Sequence, residues 1–358
     1  LFRCVTFLTA AVLPILLLAG CGGTLGPAPE RGEIRFEAGS MLLLDDASAT
    51  KATLSDIFAD GSTFAVFGEK VNSGVASVVF GGTNEPNGVT VTASDTDGDP
   101  ATPPAWSYSP VKTWQWESSG DWYDFVAVSP ASARPTRMAI AGNIAVSTHY
   151  NISSQDIDLL GAAYRRRGNV ANPNGTVQMD FNHLGSAVRV KVLNNSASTG
   201  VTVDRIKFRN LVVEGDAKIT LDQYGSPEMS WINTERNTAD VRILEPAASV
   251  TAGNSYESPF WVMIPQRLDQ AAAAGGLAAD MPVLDLLYTP AGSVQKTAAI
   301  TLKDICPRDS DTPIDSWAMG SKYTYEISMR LDGGVIVNIT TTDWGEAIEA
   351  ETPGLLIH

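Results

Sequence analysis

The chain has 358 residues, 18% of them charged and 44% hydrophobic, with 31 Gly, 20 Pro and 3 Cys and a formal net charge of −15. This is ample apolar material for packed cores, and the length suits two domains of about 150 residues better than one. An acidic chain without a basic stripe repels phosphates, which excludes nucleic acid as a partner; its one basic cluster, Arg165-Arg166-Arg167, reads as a solvated loop between domains.

In chain order, residues 1–20 read as an export signal. Arg3 precedes an apolar run from Val5 to Leu18 that is too short for a membrane span and contains Pro14. The run ends in Leu18-Ala19-Gly20-Cys21, the pattern of a bacterial lipobox. Small residues at Ala19 and Gly20 let the backbone enter a signal peptidase, and the Cys21 thiol takes a diacylglyceryl group. The expected mature protein starts at Cys21 and is tethered to a membrane by lipid. Residues 21–32, rich in Gly and Pro, are the expected flexible tether. With Cys4 lost and Cys21 lipidated, Cys306 stands alone, so no intrachain disulfide forms and an exported protein must rely on its cores. Cys306 is read as a buried structural thiol.

From Glu33 onward the chain reads as short strands and turns. Ile34 and Phe36 alternate with Glu33, Arg35 and Glu37; Phe64–Phe67 and Ala76–Phe80 are β-rich runs; Gly88–Thr92 alternates; Trp122–Val128 ends at Ser129-Pro130. Short strands punctuated by turns indicate sandwiches or barrels, an all-β class. Ser153–Leu160 has room for one helical turn, and a boundary falls near 165–175, dividing the chain into 33–172 and 173–358. Beyond it the period of two sharpens: Val177, Met179 and Phe181; Val188, Val190 and Val192; Tyr323, Tyr325, Ile327 and Met329, each set alternating with polar residues. Such alternation is what a sheet with one wet face requires. Only the Ala-rich stretch from Leu268 to Ala279 looks briefly helical.

Several stretches invite chemistry. Asp95, Asp97 and Asp99 have the spacing of the first half of a calcium loop, but Pro100 stands where glycine is needed and Trp106 where the closing Glu belongs, so they read as a solvated acidic turn, with calcium the lesser alternative. His149, His183 and His358 belong to no metal-ligand array, and no nucleophile elbow, P-loop or dinucleotide fingerprint occurs. We therefore expect no catalytic centre, no metal and no cofactor. Trp106, Tyr108, Trp114, Trp116, Trp122 and Tyr123 cluster within a short stretch. They read as core or as a stacking platform for sugars; Trp114 and Trp116, on one strand face, are the pair expected to be exposed.

Four stretches in order carry a family likeness: Trp122-Tyr-Asp-Phe-Val-Ala-Val-Ser-Pro130; Asp158-Leu-Leu160 followed by Val177–His183 and Leu184–Val192; Phe260-Trp-Val-Met-Ile-Pro-Gln266; and Trp317–Leu331 with Val335–Ile339 and Trp344. Behind a lipobox, this arrangement resembles the fimbrillins, pilin-like surface lipoproteins of Bacteroidales. The resemblance implies two tandem transthyretin-like β-sandwiches, export to the outer membrane on the Cys21 lipid, and a structural or adhesive role. Its implied partners are other fimbrial subunits and a host or bacterial surface ligand. In polymerising members an arginine-specific protease removes the N-terminal segment and a neighbour's strand fills the groove. Here Arg31 and Arg35 are the only arginines between Cys21 and Arg134, and no arginine follows the strand around Ile34–Phe36. That departure favours an anchor, a tip or an uncleaved accessory subunit. Pro353–His358 reads as a short donor strand or a frayed end. The rival reading is a lipid-anchored glycan-binding module built on Trp114 and Trp116.

Overall fold

The computed structural model describes residues 32–38, 60–94, 104–138, 143–155, 157–232, 238–245, 247–269, 281–307, 310–329 and 334–344. The described chain is nearly all strand, and it holds no α-helix. The expected lipidation residue Cys21, the cleavage candidate Arg31, the triad Asp95, Asp97 and Asp99, the Ala-rich stretch from residue 270, and the final segment Pro353–His358 all lie outside the described residues.

The first half is organised by an antiparallel sheet of seven strands. Its order is Asn182–His183, Leu160–Arg167, Trp122–Ser129, Thr63–Asn72, Val89–Ser94 and Ala105–Ser107, with Val75–Phe80 also pairing with Thr63–Asn72. The strands are apolar on both sides, because their side chains alternate between two cores. Phe64, Val66, Tyr123, Phe125, Leu160 and Ala162 face one core. Phe67, Val126, Val128 and Ala163 face the other. Gly88, at φ +81°, is held to glycine from both directions: its backbone is left-handed, and a Cβ would stand 2.8 Å from Phe67 Cε2.

A four-stranded antiparallel sheet, Pro227–Ile232, Glu214–Leu221, Ala145–Asn151 and Thr136–Arg137, covers the Phe67 face through Val146, Ala217 and Ile219. The same core continues into two five-stranded sheets. In one, Ser186–Asn194 runs parallel to Ser321–Met329, which pairs in turn with Val335–Asp343; Ser255–Glu257 and Trp261–Met263 form the other side. In the second, Val201–Val212 lies between Val283–Pro290 and the strands Thr238–Leu244 and Ala248–Val250, with Lys296–Thr301 outermost. Phe208 of the second sheet meets Tyr325 of the first at 5.4 Å between ring centroids and Trp317 at 5.7 Å. Trp317 Nε1 donates to Tyr325 Oη at 3.0 Å, and burial pushes the Tyr325 phenol up, so it stays a neutral partner.

Three sequence expectations change on contact with the structure. The alternation in Tyr323–Met329 predicts a wet face, yet Lys322, Thr324 and Glu326 are buried. This strand is central in its sheet, and Phe260 lies over the polar side with the Arg189 guanidinium 4.6 Å and Lys322 Nζ 5.6 Å from its ring. The single turn expected within 153–160 lies earlier, at 151–155, closed by Asn151 O accepting from the Gln155 amide and Asn151 Oδ1 from the Ser153 amide, and Leu160 already opens a strand. Arg165-Arg166-Arg167 is the end of a central strand rather than a solvated loop. Arg165 Nε and Nη2 donate to the Asp124 carboxylate at 2.7 and 2.8 Å, with both side chains almost wholly buried. Arg166 reaches Asn172 O and Arg167 reaches Tyr224 O.

The Arg165 pair belongs to a row of charges. Strand register places Glu69, Asp124 and Arg165 side by side. Arg137, from the four-stranded sheet, donates to Glu69 Oε2 at 3.0 Å and to the carbonyls of Gly68 and Phe80. Arg165 Nη1 donates to Gln223 O in the turn at the other end of that sheet. Two guanidiniums therefore bolt the four-stranded sheet to the seven-stranded one at both ends. On the opposite face, Asp121 accepts from Ser118 Oγ and from the amides of Glu117 and Ser118, with Lys70 Nζ 3.7 Å away. Burial would raise its carboxyl, but these hydrogen bonds and the Lys70 charge outweigh it and hold the group below the usual carboxylate range.

Two predictions rest on these charges. Asp124→Leu strands the Arg165 guanidinium and should cost about 3–5 kcal/mol. Adding Arg165→Met should restore at least half of that loss in denaturant titrations; additive losses would refute the pairing. Asp121→Asn should destabilise by about 2 kcal/mol at neutral pH. Because the folded-state carboxyl is depressed, its contribution is full above the unfolded value of about 3.9 and is lost as pH falls through the folded one. Wild type and variant should therefore converge in stability at the acid end of a pH series, and a constant gap would exclude this account.

Candidate functional site

Among the described residues, no second large sheet lies over the face of the seven-stranded sheet that carries Phe64 and Phe125. Its cover is a narrow ribbon in which residues 32–38 are the middle strand. On one side, the Ile34 amide donates to Lys112 O at 2.8 Å and the Trp114 amide to Gly32 O at 2.9 Å, with Glu33 bridged antiparallel to Thr113. On the other side, Phe36–Ala38 runs parallel to Val177–Met179, and the Val177 amide donates to Arg35 O at 2.8 Å. The alternation read from the sequence is the burial pattern itself: Ile34 is 0% and Phe36 2% exposed, whereas Glu33, Arg35 and Glu37 point outward.

Phe36 is the key to this slot. Its ring lies edge-on to Phe80, Phe125 and Tyr108, all with centroids 5.5–5.6 Å away, and to Phe64 at 6.4 Å. Ile34 fills the next position along the same face. Tyr108 Oη donates to Ile34 O at 2.7 Å and accepts from the Lys112 amide at 3.2 Å. Burial raises its phenol, opposed by the Lys112 amide, so the hydroxyl keeps its proton and remains a donor. Val177, Met179 and Phe181 close the far side of the slot. The expected boundary at residue 172 is thus followed by strands that serve the first core before the chain enters the second half. The sequence placed Tyr108 only in the aromatic cluster and gave Lys112 no role; the available signal is Ser109-Pro110, a bend between them.

Arg35 extends from this strand with its side chain 73% exposed and its guanidinium 3.3 Å from Glu33 Oε2. Its backbone, in contrast, is inside the ladder. Trp114 and Trp116 do share a face and stack, at 5.4 Å and 13°, but that face is inward. Trp114 is 1% exposed, with Tyr123 edge-on at 5.0 Å. Trp116 is half-buried over it and is pinned by Nε1 donating to Asn174 Oδ1 at 2.9 Å. Trp114 therefore offers no free ring face; it is a wall of the first core, where the hydrogen bond from its amide to Gly32 O holds it.

The other polar groups have structural surroundings. His183 Nδ1 lies 2.8 Å from the buried Asp158 carboxylate, and its ring stacks on Trp344 at 4.0 Å and 6°. His149 is exposed between Glu214 and Asp216. Cys306 is half-buried, and its carbonyl accepts from the Ile339 amide. Among the described residues, no three His, Cys, Asp or Glu are grouped to hold a metal ion, and no helix is long and apolar enough to cross a membrane.

Comparison with known proteins identifies the family. A search of curated proteins finds no match. Solved structures with a similar arrangement include a fimbrial protein from Bacteroides vulgatus, 16% identical over 87% of this chain and 99% of that one, with a TM-score of 0.48. They also include the C-terminally truncated tip fimbrial protein Mfa3 from Porphyromonas gingivalis, 13% identical over 82% of this chain and 97% of that one, with a TM-score of 0.40. The family model described as fimbrillin-like matches residues 50–344, most of the chain, and the protein belongs to the fimbrillin-like family.

Proposed function

We propose that the chain is a non-catalytic fimbrial subunit or fimbria-associated lipoprotein of the cell surface, held in the outer membrane by lipid on Cys21, and that it joins neighbouring subunits by strand complementation. The observation that carries the reading is the middle position of residues 32–38. A strand bonded on both sides leaves, on departure, two unpaired edges and an apolar floor, and a strand from another chain satisfies both. Family membership supports the fimbrial role. The separate aromatic centres around Phe36 and around Tyr325 support two tandem transthyretin-like sandwiches divided near residue 172, with residues 177–183 reaching back to the first.

The two arginines have different consequences. A cut after Arg31 releases the lipid and leaves the strand seated. The Arg35–Phe36 bond lies within the ladder, so a protease reaches it only after the strand has left the slot. With no arginine beyond the strand before Arg134, an uncleaved anchor, tip or accessory position fits this chain better than a stalk subunit.

The N-terminus and intact mass of protein taken from the cell surface test this: we expect acylated Cys21 and an intact Arg31–Gly32 bond. A new N-terminus at Gly32 or Phe36 would replace the anchor reading with a proteolytically matured pilin. The slot is tested separately. Phe36→Ala should cost about 3–5 kcal/mol in denaturant titrations. A chain shortened to begin after Ala38 should bind a synthetic Gly32–Ala38 peptide and regain thermal stability. Equal stability with and without peptide would sink strand complementation at this slot.

A further inference from the structure

A cleft in the second half of the molecule has the chemistry of a sugar site. It lies between the turn Ile152–Gln155 and the outer strands Thr238–Leu244 and Trp261–Met263, and has a volume of about 410 Å³, within the range of small-ligand sites. Its apolar wall is Trp261 with Tyr150. Trp261 is half-buried against the core with its indole nitrogen buried, so the part that lines the cleft is ring carbon. Tyr150 is buried behind it, edge-on to Trp231 at 6.0 Å. The polar wall is Asp240 and Arg242, which the period of two sets on the outer face of one strand on either side of the inward Val241. At the turn, Gln155 Oε1 accepts from the Asn151 amide, which leaves the Gln155 amide nitrogen to donate.

We propose that this cleft binds an uncharged glycan, one or two rings deep, with a pyranose face against Trp261 and its hydroxyls on Asp240, Arg242 and Gln155. An aromatic carbon surface opposite a few fixed polar groups matches the two sides of a sugar ring. The charges select for neutrality. Asp240 is paired with Lys207 at 2.8 Å and Arg242 with Glu245 at 2.5 Å, so the rim sums to zero and carries no excess cation for a sialylated or sulfated glycan. A second cavity, about 710 Å³ beside Val78, Lys112 and Arg137, also has its cations paired, by Glu85 and Glu69, but no aromatic residue lines it. The inference deepens the adhesive side of the proposed function and moves the sugar contact away from Trp114 and Trp116.

The test is an array of neutral, sialylated and sulfated glycans probed with the full chain, followed by titration calorimetry on the strongest neutral glycan. We expect neutral glycans to be retained, and Trp261→Ala and Asp240→Asn each to weaken binding at least tenfold, with Trp116→Ala unchanged. Circular dichroism checks each fold. Should Trp261→Ala fail to fold, the exposed substitutions Asp240→Asn and Arg242→Ala decide the matter. Retention of acidic glycans alone, of none, or affinity indifferent to Asp240→Asn would overturn the proposal. Incorporation of the Asp240→Asn protein into sheared filaments is a separate readout: filaments without sugar binding leave the fimbrial reading standing, and sugar binding without filaments removes it.

Discussion

A sheet that is apolar on both faces cannot stand alone, and the seven-stranded sheet is such a sheet. Each face must be sealed from water, and the two are sealed by unequal means. The Phe67 face receives a whole four-stranded sheet, fixed by Arg137 and Arg165 at its two ends. The Phe64 face receives a ribbon whose middle strand is seven described residues at the start of the described chain. Each buried aromatic ring contributes on the order of 2–3 kcal/mol of transfer free energy. The cover that holds Phe36 is therefore energetically large but mechanically slight, because its hydrogen bonds run only to two other narrow segments.

On the proposed function, the inequality explains why assembly uses one side of the sheet. The guanidinium bolts make the middle layer hard to separate: each pairs a buried carboxylate and at least one backbone carbonyl, and removing any partner leaves an uncompensated charge. Among the described residues, no buried guanidinium–carboxylate pair holds the N-terminal strand. Its only charged side chains point to solvent, and Arg35 pairs with Glu33 of its own segment rather than with the body of the protein. Exposed pairs of this kind contribute little. What retains the strand is apolar packing and main-chain pairing, and both are properties that any extended segment with alternating apolar residues supplies. The slot is thus selective for pattern more than for sequence, which suits a strand delivered by another subunit.

The sequence was most legible where the information is local. Alternation alone located Ile34 and Phe36, Val177–Phe181 and Val188–Val192 on their buried faces, because period two is a property of a single strand. It failed where a partner lies far along the chain. Three successive arginines read as a loop, since nothing near residue 165 reveals that register sets Asp124 opposite it. Thr324 and Glu326 read as a wet face, since Phe260, which covers that side, comes from elsewhere. The spacing of Trp114 and Trp116 established a shared face but not its direction; Gly32 O and Asn174, far apart in the chain, turn that face inward. Trp261 was legible only as part of the Phe260–Gln266 stretch, and Asp240 not at all, because the meeting of two sheet edges brings them to one cleft.

That meeting of edges is also the last step in relating the two halves. The second half closes its core with its own large side chains, Phe208, Trp317 and Tyr325. On the proposed reading, the cleft between its outer strands keeps its shape when the first half exchanges its cover. A surface that must recognise a ligand reproducibly is better built on elements that do not leave. On the two proposals together, the architecture separates a replaceable strand, suited to assembly, from a fixed rim, suited to contact with something outside the assembly. The four-stranded sheet between them, bolted to one side and continuous in its core with the other, keeps the two tasks mechanically apart.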